Sequence, residues 1–147
     1  MEQIYPYVQI VHLICAIIFL GYIFFDVVIF MRLKGTLGAN FECVKKAIGS
    51  RAIKIMPVCL FTLIITGGMM MSRWVGSANG GYFGTPLQKI FMLKVALALI
   101  IAVCVAINLS CRAMGRPAPE FLRVNIHKIA FVFGFIIVLC AKLMFII

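Results

Sequence analysis

Four apolar stretches, each close to the length that crosses a bilayer, take up most of this chain. They constrain its fold more than any short motif does. They run over about 9–31, 55–71, 90–109 and 128–147, and a membrane-spanning helix needs about 20 such residues. Of the 147 residues 65% are hydrophobic and only 12% charged, whereas a soluble domain is nearer a quarter charged. The expected fold is all-α: an integral membrane four-helix bundle, N-out/C-out, forming a single transmembrane domain over residues 1–147. Spans and short loops use up the sequence, so no soluble catalytic or nucleic-acid-binding domain is left over. Any chemistry sits within the bundle or at its two faces.

The formal charge of +10 is concentrated in loops flanking the apolar stretches, which is the signature of a membrane protein rather than a nucleic-acid binder. Arg32, Lys34, Lys45, Lys46, Arg51 and Lys54 lie between spans one and two, and Arg112, Arg116 and Arg123 lie between spans three and four, with Lys128 at the boundary. The middle connection, Ser72 to Lys89, has only Arg73 and Lys89. Basic loops face the cytoplasm. The expected location is therefore a bacterial cytoplasmic (inner) membrane, multi-pass, with the first and third loops inside. The first span lacks the basic n-region and small-residue cleavage site of a signal peptide, so it is expected to stay attached.

Tyr5 and Tyr7 suit the outer interface, and Pro6 marks a helix start. Phe41, Val44 and Ile48 recur at helical spacing beside Lys45 and Lys46. That pattern reads either as a short helix on the anionic inner leaflet or as a solvated basic loop. Pro57 is expected in the first turn or so of span two, and Gly67 and Gly68 near its outer end permit close approach to the backbone. Gly76, Gly80, Gly81, Gly84 and Pro86 make the outer loop turn-rich, with Trp74 and Tyr82 as interfacial anchors. Gly115, Pro117 and Pro119 do the same inside. The six cysteines show neither CxxC nor CxxCH, so they read as small apolar membrane residues rather than as disulfides or covalent haem attachments.

Ionisable side chains inside a span cost about 2.5–3.5 kcal/mol each on insertion scales, so each is a candidate site. Helix one carries His12 and Asp26, helix three Lys94 and Asn108, helix four His127 and Lys142. Each pair is about 14 or 15 residues apart, or about 21–22 Å along a helix. With four antiparallel crossings, His12, Lys94 and Lys142 share an outer level, and Asp26, Asn108, Asn125 and His127 share an inner one. His12 and His127 then lie near opposite surfaces and do not ligate one iron. The inner group reads as a structural polar layer in which Asp26 pairs with Arg51, Lys54 or His127. In the outer group two lysines and a histidine, with no acid at their depth, repel one another unless an anionic ligand neutralises them. Porphyrin fits: its carboxylates pair with Lys94, Lys142 or Arg73, and imidazole is a common axial ligand of haem iron. Met69, Met70 and Met71 end helix two at that level, so Met70 is a candidate second metal ligand. Packing methionines, snorkelling lysines and a core histidine are the structural alternatives.

Several of these residues occur in a familiar order. The stretch from His12 to Gly21, then Pro57, Thr62 and Gly67, then Lys94-Val95-Ala96-Leu97, then Arg123-Val124-Asn125 and finally Lys142 resembles the HemJ-type four-helix protoporphyrinogen IX oxidase family and the related CopD-like membrane domains. The resemblance covers nearly all of the chain. It implies haem b with His12 as an axial ligand, lysines near the porphyrin carboxylates, six-electron oxidation of protoporphyrinogen IX, and a respiratory-chain electron acceptor. The family's Trp after the helix-one His, its Tyr-Leu-Pro-Arg run and a helix-three His are absent, which bears on catalysis more than on haem binding. Two alternatives stand beside a haem-binding oxidoreductase. One is a CopD-like copper-handling protein using Met69, Met70, Met71, Cys15 and His12, and the other is a non-catalytic membrane subunit or assembly factor. The expected partners are the lipid bilayer, porphyrin or haem, an electron acceptor and, in a homo-oligomer, a second copy of the chain, with no nucleic acid.

Overall fold

The computed structural model describes residues 3–76, 80–143 and 146. Every regular element among them is helical: α1 (Tyr5–Phe24), α2 (Lys34–Leu37), α3 (Phe41–Met71), α4 (Pro86–Ala113) and α5 (Glu120–Leu143), with π and 3-10 turns between α1 and α3. Three helical runs, Tyr5–Met71, Pro86–Ala113 and Glu120–Leu143, are long and apolar enough to cross a membrane. Helices suit that medium because they satisfy their own backbone groups. Side chains such as Leu13, Val58, Phe61, Val103 and Phe135 point outward with 56–65% exposure, a surface that water would penalise and lipid accepts. The chain forms two compact units, residues 1–66 and 67–147.

The first unit contains most of the 67-residue run. Extended, that run would be about 100 Å long, against a hydrocarbon core of about 30 Å. It turns back instead. His12 on α1 is hydrogen-bonded to Thr66 on α3, and Phe30 stacks on Phe41 at 5.0 Å between centroids. The turn is prepared in steps. After Phe24 the α-helix widens into a π turn over Phe25–Ile29 and tightens into a 3-10 turn over Phe30–Leu33. These changes of pitch take Phe30 out of the register an α-helix would give it. Gly38 then adopts φ +50° and ψ −123°, a conformation that costs a residue with a Cβ about 1–3 kcal/mol. Gly38→Ala is accordingly expected to lower the midpoint of thermal unfolding in detergent, whereas Gly35→Ala, at a helical position with open space for a Cβ, leaves it within a degree or so. Equal midpoints would show that the corner does not depend on Gly38.

Three sequence expectations change here. Span one is α-helical only to Phe24 rather than to Met31. The basic stretch Phe41–Lys54 is neither a separate surface helix nor a loop, because it is the first half of the 31-residue α3. Pro57 therefore lies in mid-helix instead of the first turn, where its missing N–H denies Ile53 the usual i→i−4 partner. Outside a bilayer a helix needs no apolar residues to continue, so hydropathy located the apolar stretches without locating the helix ends.

The second unit pairs α4 with α5. Thr85 starts α4 through a capping box in which its hydroxyl accepts from the Gln88 N–H and the Gln88 side chain accepts from the Thr85 N–H, with Pro86 in the first turn. Gln88 is buried and also accepts from the Gly84 N–H at 2.9 Å. This places the start four residues before the apolar stretch. Glu120 opens α5 well before the expected span at 128, so Arg123, Asn125 and His127 are helical and only Arg116 of the third basic loop lies between the helices. Arg112 in the last turn of α4 and Glu120 in the first turn of α5 each sit at the helix end whose partial charge they oppose. The connector between α3 and α4 is turn-rich as expected, and Gly76 and Gly81 exchange two backbone hydrogen bonds of 3.1 and 3.0 Å. Ser77, Ala78 and Asn79 in that loop, and 144, 145 and 147 of the expected fourth span, lie outside the described residues.

Candidate functional site

The most defined polar contact in the apolar part of the first unit joins His12 to Thr66. His12 Nδ1 lies 2.8 Å from Thr66 Oγ1. The Thr66 hydroxyl has one proton and donates it to the Thr62 carbonyl at 2.6 Å. Its oxygen is therefore an acceptor toward the imidazole, and Nδ1 carries the hydrogen. In the neutral ring the lone pair is then on Nε2, the atom that metal-binding histidines commonly present when a second group holds Nδ1–H. Thr62 repeats the pattern one turn earlier, donating to the Val58 carbonyl at 2.9 Å. Such i−4 bonds satisfy a hydroxyl inside an apolar helix and free its oxygen to accept.

One turn beyond His12 on α1, Cys15 is half-buried, and Cys59 on α3 is buried. Further along, half-buried Asp26 occupies the π turn and interacts electrostatically with Tyr22. Because the helix changes pitch there, uniform 100° steps from His12 do not give the face on which Asp26 lies. Arg51 and Lys54 are exposed on α3.

In the second unit Lys94 is half-buried with its Nζ 5.0 Å from the centroid of Phe91, within the reach of a cation–π contact. It also interacts electrostatically with Cys140, two residues before the exposed Lys142. The two lysines thus share one level of an antiparallel α4–α5 pair. By the same register Asn108 falls level with Asn125 and His127 at the other end, and all three are half-buried. Phe91 and Val75 form a small apolar core on which Met71, Trp74 and Leu87 pack. Of the three consecutive methionines Met71 packs on this core, as does Met92 from α4, and Met70 is half-buried. Arg73 is exposed in the turn after α3.

Among the described residues no three His, Cys, Asp or Glu side chains converge to hold a metal ion. Haem is not excluded by that, since its porphyrin supplies four of the iron's ligands and the protein one or two. The chain matches no protein-family model, no curated protein and no solved structure.

Sequence reasoning missed Thr66, which was open to the depth argument: it is five residues from the C-terminal end of α3, and in an antiparallel pair that end meets the start of α1.

Proposed function

We propose that this chain is a haem-binding protein of a bacterial inner membrane, carrying haem b with His12 as an iron ligand and serving a redox role toward a porphyrin or a respiratory electron acceptor. The observation that supports this reading most is the His12–Thr66 bond: the threonine takes Nδ1–H at 2.8 Å, and the metal-binding electron pair is left on Nε2. Haem would supply one-electron redox chemistry, its potential tuned by axial ligation and burial. The chain's own part is to hold the imidazole in one tautomer and orientation and to surround it with apolar side chains.

The threonine gives the first test. Removing a group that orients a metal-bound histidine typically costs about 10–100-fold in affinity. Haemin titration of the purified protein in detergent is expected to saturate with a Soret shift, to weaken by at least about 10-fold in Thr66→Val, and to recover in Thr66→Ser. A valine variant that binds as tightly as the wild type would remove the orienting role.

The basic corner is the cytoplasmic end in this reading. Cys43 offers a direct probe, being exposed in the first turn of α3 beside Lys45 and Lys46. A variant retaining only Cys43 is expected to react with a membrane-impermeant maleimide in inverted vesicles and not in intact spheroplasts. Labelling from outside would reverse the orientation.

A further inference from the structure

The first half of α3 carries most of its charge on one face, and the haem reading uses none of it. Cys43, Lys46, Ala47, Ser50, Arg51 and Lys54 recur at i, i+3, i+4, i+7, i+8 and i+11, so they share one stripe of the helix, and all six are exposed. Phe41, Val44, Ile48 and Ala52, on the far side, are buried or half-buried. The stripe holds three cations and no acid. Glu42, the acid of α3, stands about 110° round the helix from the middle of the stripe, and Lys45 is also off it, its Nζ 6.0 Å from the centroid of Phe41. Beyond Lys54 the same face turns apolar, because Val58, Phe61 and Ile65 follow at i+4, i+7 and i+11 with 63%, 65% and 47% exposure. From Lys46 to Lys54 is about 12 Å, and from Lys54 to Ile65 about 16 Å, close to half of a hydrocarbon core of about 30 Å.

We propose that this face of α3 binds one anionic glycerophospholipid of the surrounding leaflet, its phosphate held by Lys46, Arg51 and Lys54 and an acyl chain lying along Val58, Phe61 and Ile65. The order of the chemistry along the face selects the occupant. Arg51 and Lys54 are neighbours at i, i+3, where like charges repel, and a phosphate between them removes the repulsion while accepting the planar guanidinium. Ala47 and Ser50 leave room for a headgroup to approach the helix. A soluble anion meets the cations but leaves the apolar half uncovered. A zwitterionic lipid covers the apolar half but brings a cation of its own to the basic one. A lipid of net negative charge suits both. The site differs from the general attraction of basic residues to an anionic surface, because it depends on which cations are present rather than on how many, and it stands whether or not haem binds.

The test uses the full chain in a non-ionic detergent, with phosphatidylglycerol or phosphatidylcholine added and bound lipid counted by native mass spectrometry. The wild type is expected to hold one phosphatidylglycerol at least about 10-fold more tightly than phosphatidylcholine. The triple variant Lys46→Gln, Arg51→Gln, Lys54→Gln should lose that preference. Its control, Arg32→Gln, Lys34→Gln, Lys45→Gln, deletes the same charge off the stripe and should keep the preference within about twofold. A second measurement needs no variant: wild-type protein is photolabelled with phosphatidylglycerol carrying a diazirine in its acyl chain. The label is expected to concentrate on the segment holding Val58, Phe61 and Ile65, and to exceed there the label from the matching phosphatidylcholine. Equal binding of the two lipids, equal weakening by the two triple variants, displacement of phosphatidylglycerol by an equal concentration of glycerol phosphate, or a label confined to α4 and α5 would each overturn the proposal.

Discussion

Replacing Phe30 with alanine is expected to destabilise the first unit by about 3–5 kcal/mol, the usual range for a buried Phe→Ala change. Phe30 is 2% exposed and Phe41 is 3% exposed, and their rings stack at 5.0 Å with a 17° interplanar angle. Phe25 adds a second ring at 6.2 Å from Phe30. Stacked aromatic pairs add about 0.5–1.5 kcal/mol beyond the area they bury. These rings join the two arms of the turn, so their loss removes packing where the chain reverses. The control is Phe61→Ala on α3, which is 65% exposed and exchanges protein contact for detergent at little cost. Thermal unfolding in one detergent compares them. An unfolding midpoint for Phe30→Ala no lower than that for Phe61→Ala would mean that the stack does not hold the corner.

Much of this architecture was legible in the sequence, and the parts that were not share a cause. Hydropathy reports which solvent a segment suits, so it located the apolar stretches of α1, α3, α4 and α5. It does not report where hydrogen bonding stops. The basic residues from Lys45 to Lys54 therefore read as a separate surface helix or a loop although they belong to one long helix, and the capped start of α4 at Thr85 lay outside its apolar stretch. The π turn at Phe25–Ile29 left no periodic trace in a run that is apolar on nearly every side.

The site divides in the same way. A histidine in a span announces itself by its insertion cost, and His12 and Lys94 were both found that way. Thr66 costs little to insert because its hydroxyl bonds its own helix, so only the pairing of α1 with α3 shows what it does.

Replacing His12 with alanine is expected to remove haem altogether instead of weakening it, since the imidazole is the iron ligand in this account and Thr66 only orients it. The alanine leaves the Thr66 hydroxyl bonded to Thr62, so the helix hairpin loses the His12–Thr66 hydrogen bond, worth about 0.5–1.5 kcal/mol, and stays folded. Thr66→Val should keep a reduced haem content, and the order wild type, Thr66→Val, His12→Ala separates ligation from general loosening of the fold. The decisive measurement is the reduced-minus-oxidised visible spectrum of the protein purified from haem-sufficient cells, wild type beside His12→Ala. The account predicts a b-type signal in the wild type that is absent from the alanine variant while both elute at the same volume. No haem signal in the wild type, or one that persists unchanged in His12→Ala, would contradict it.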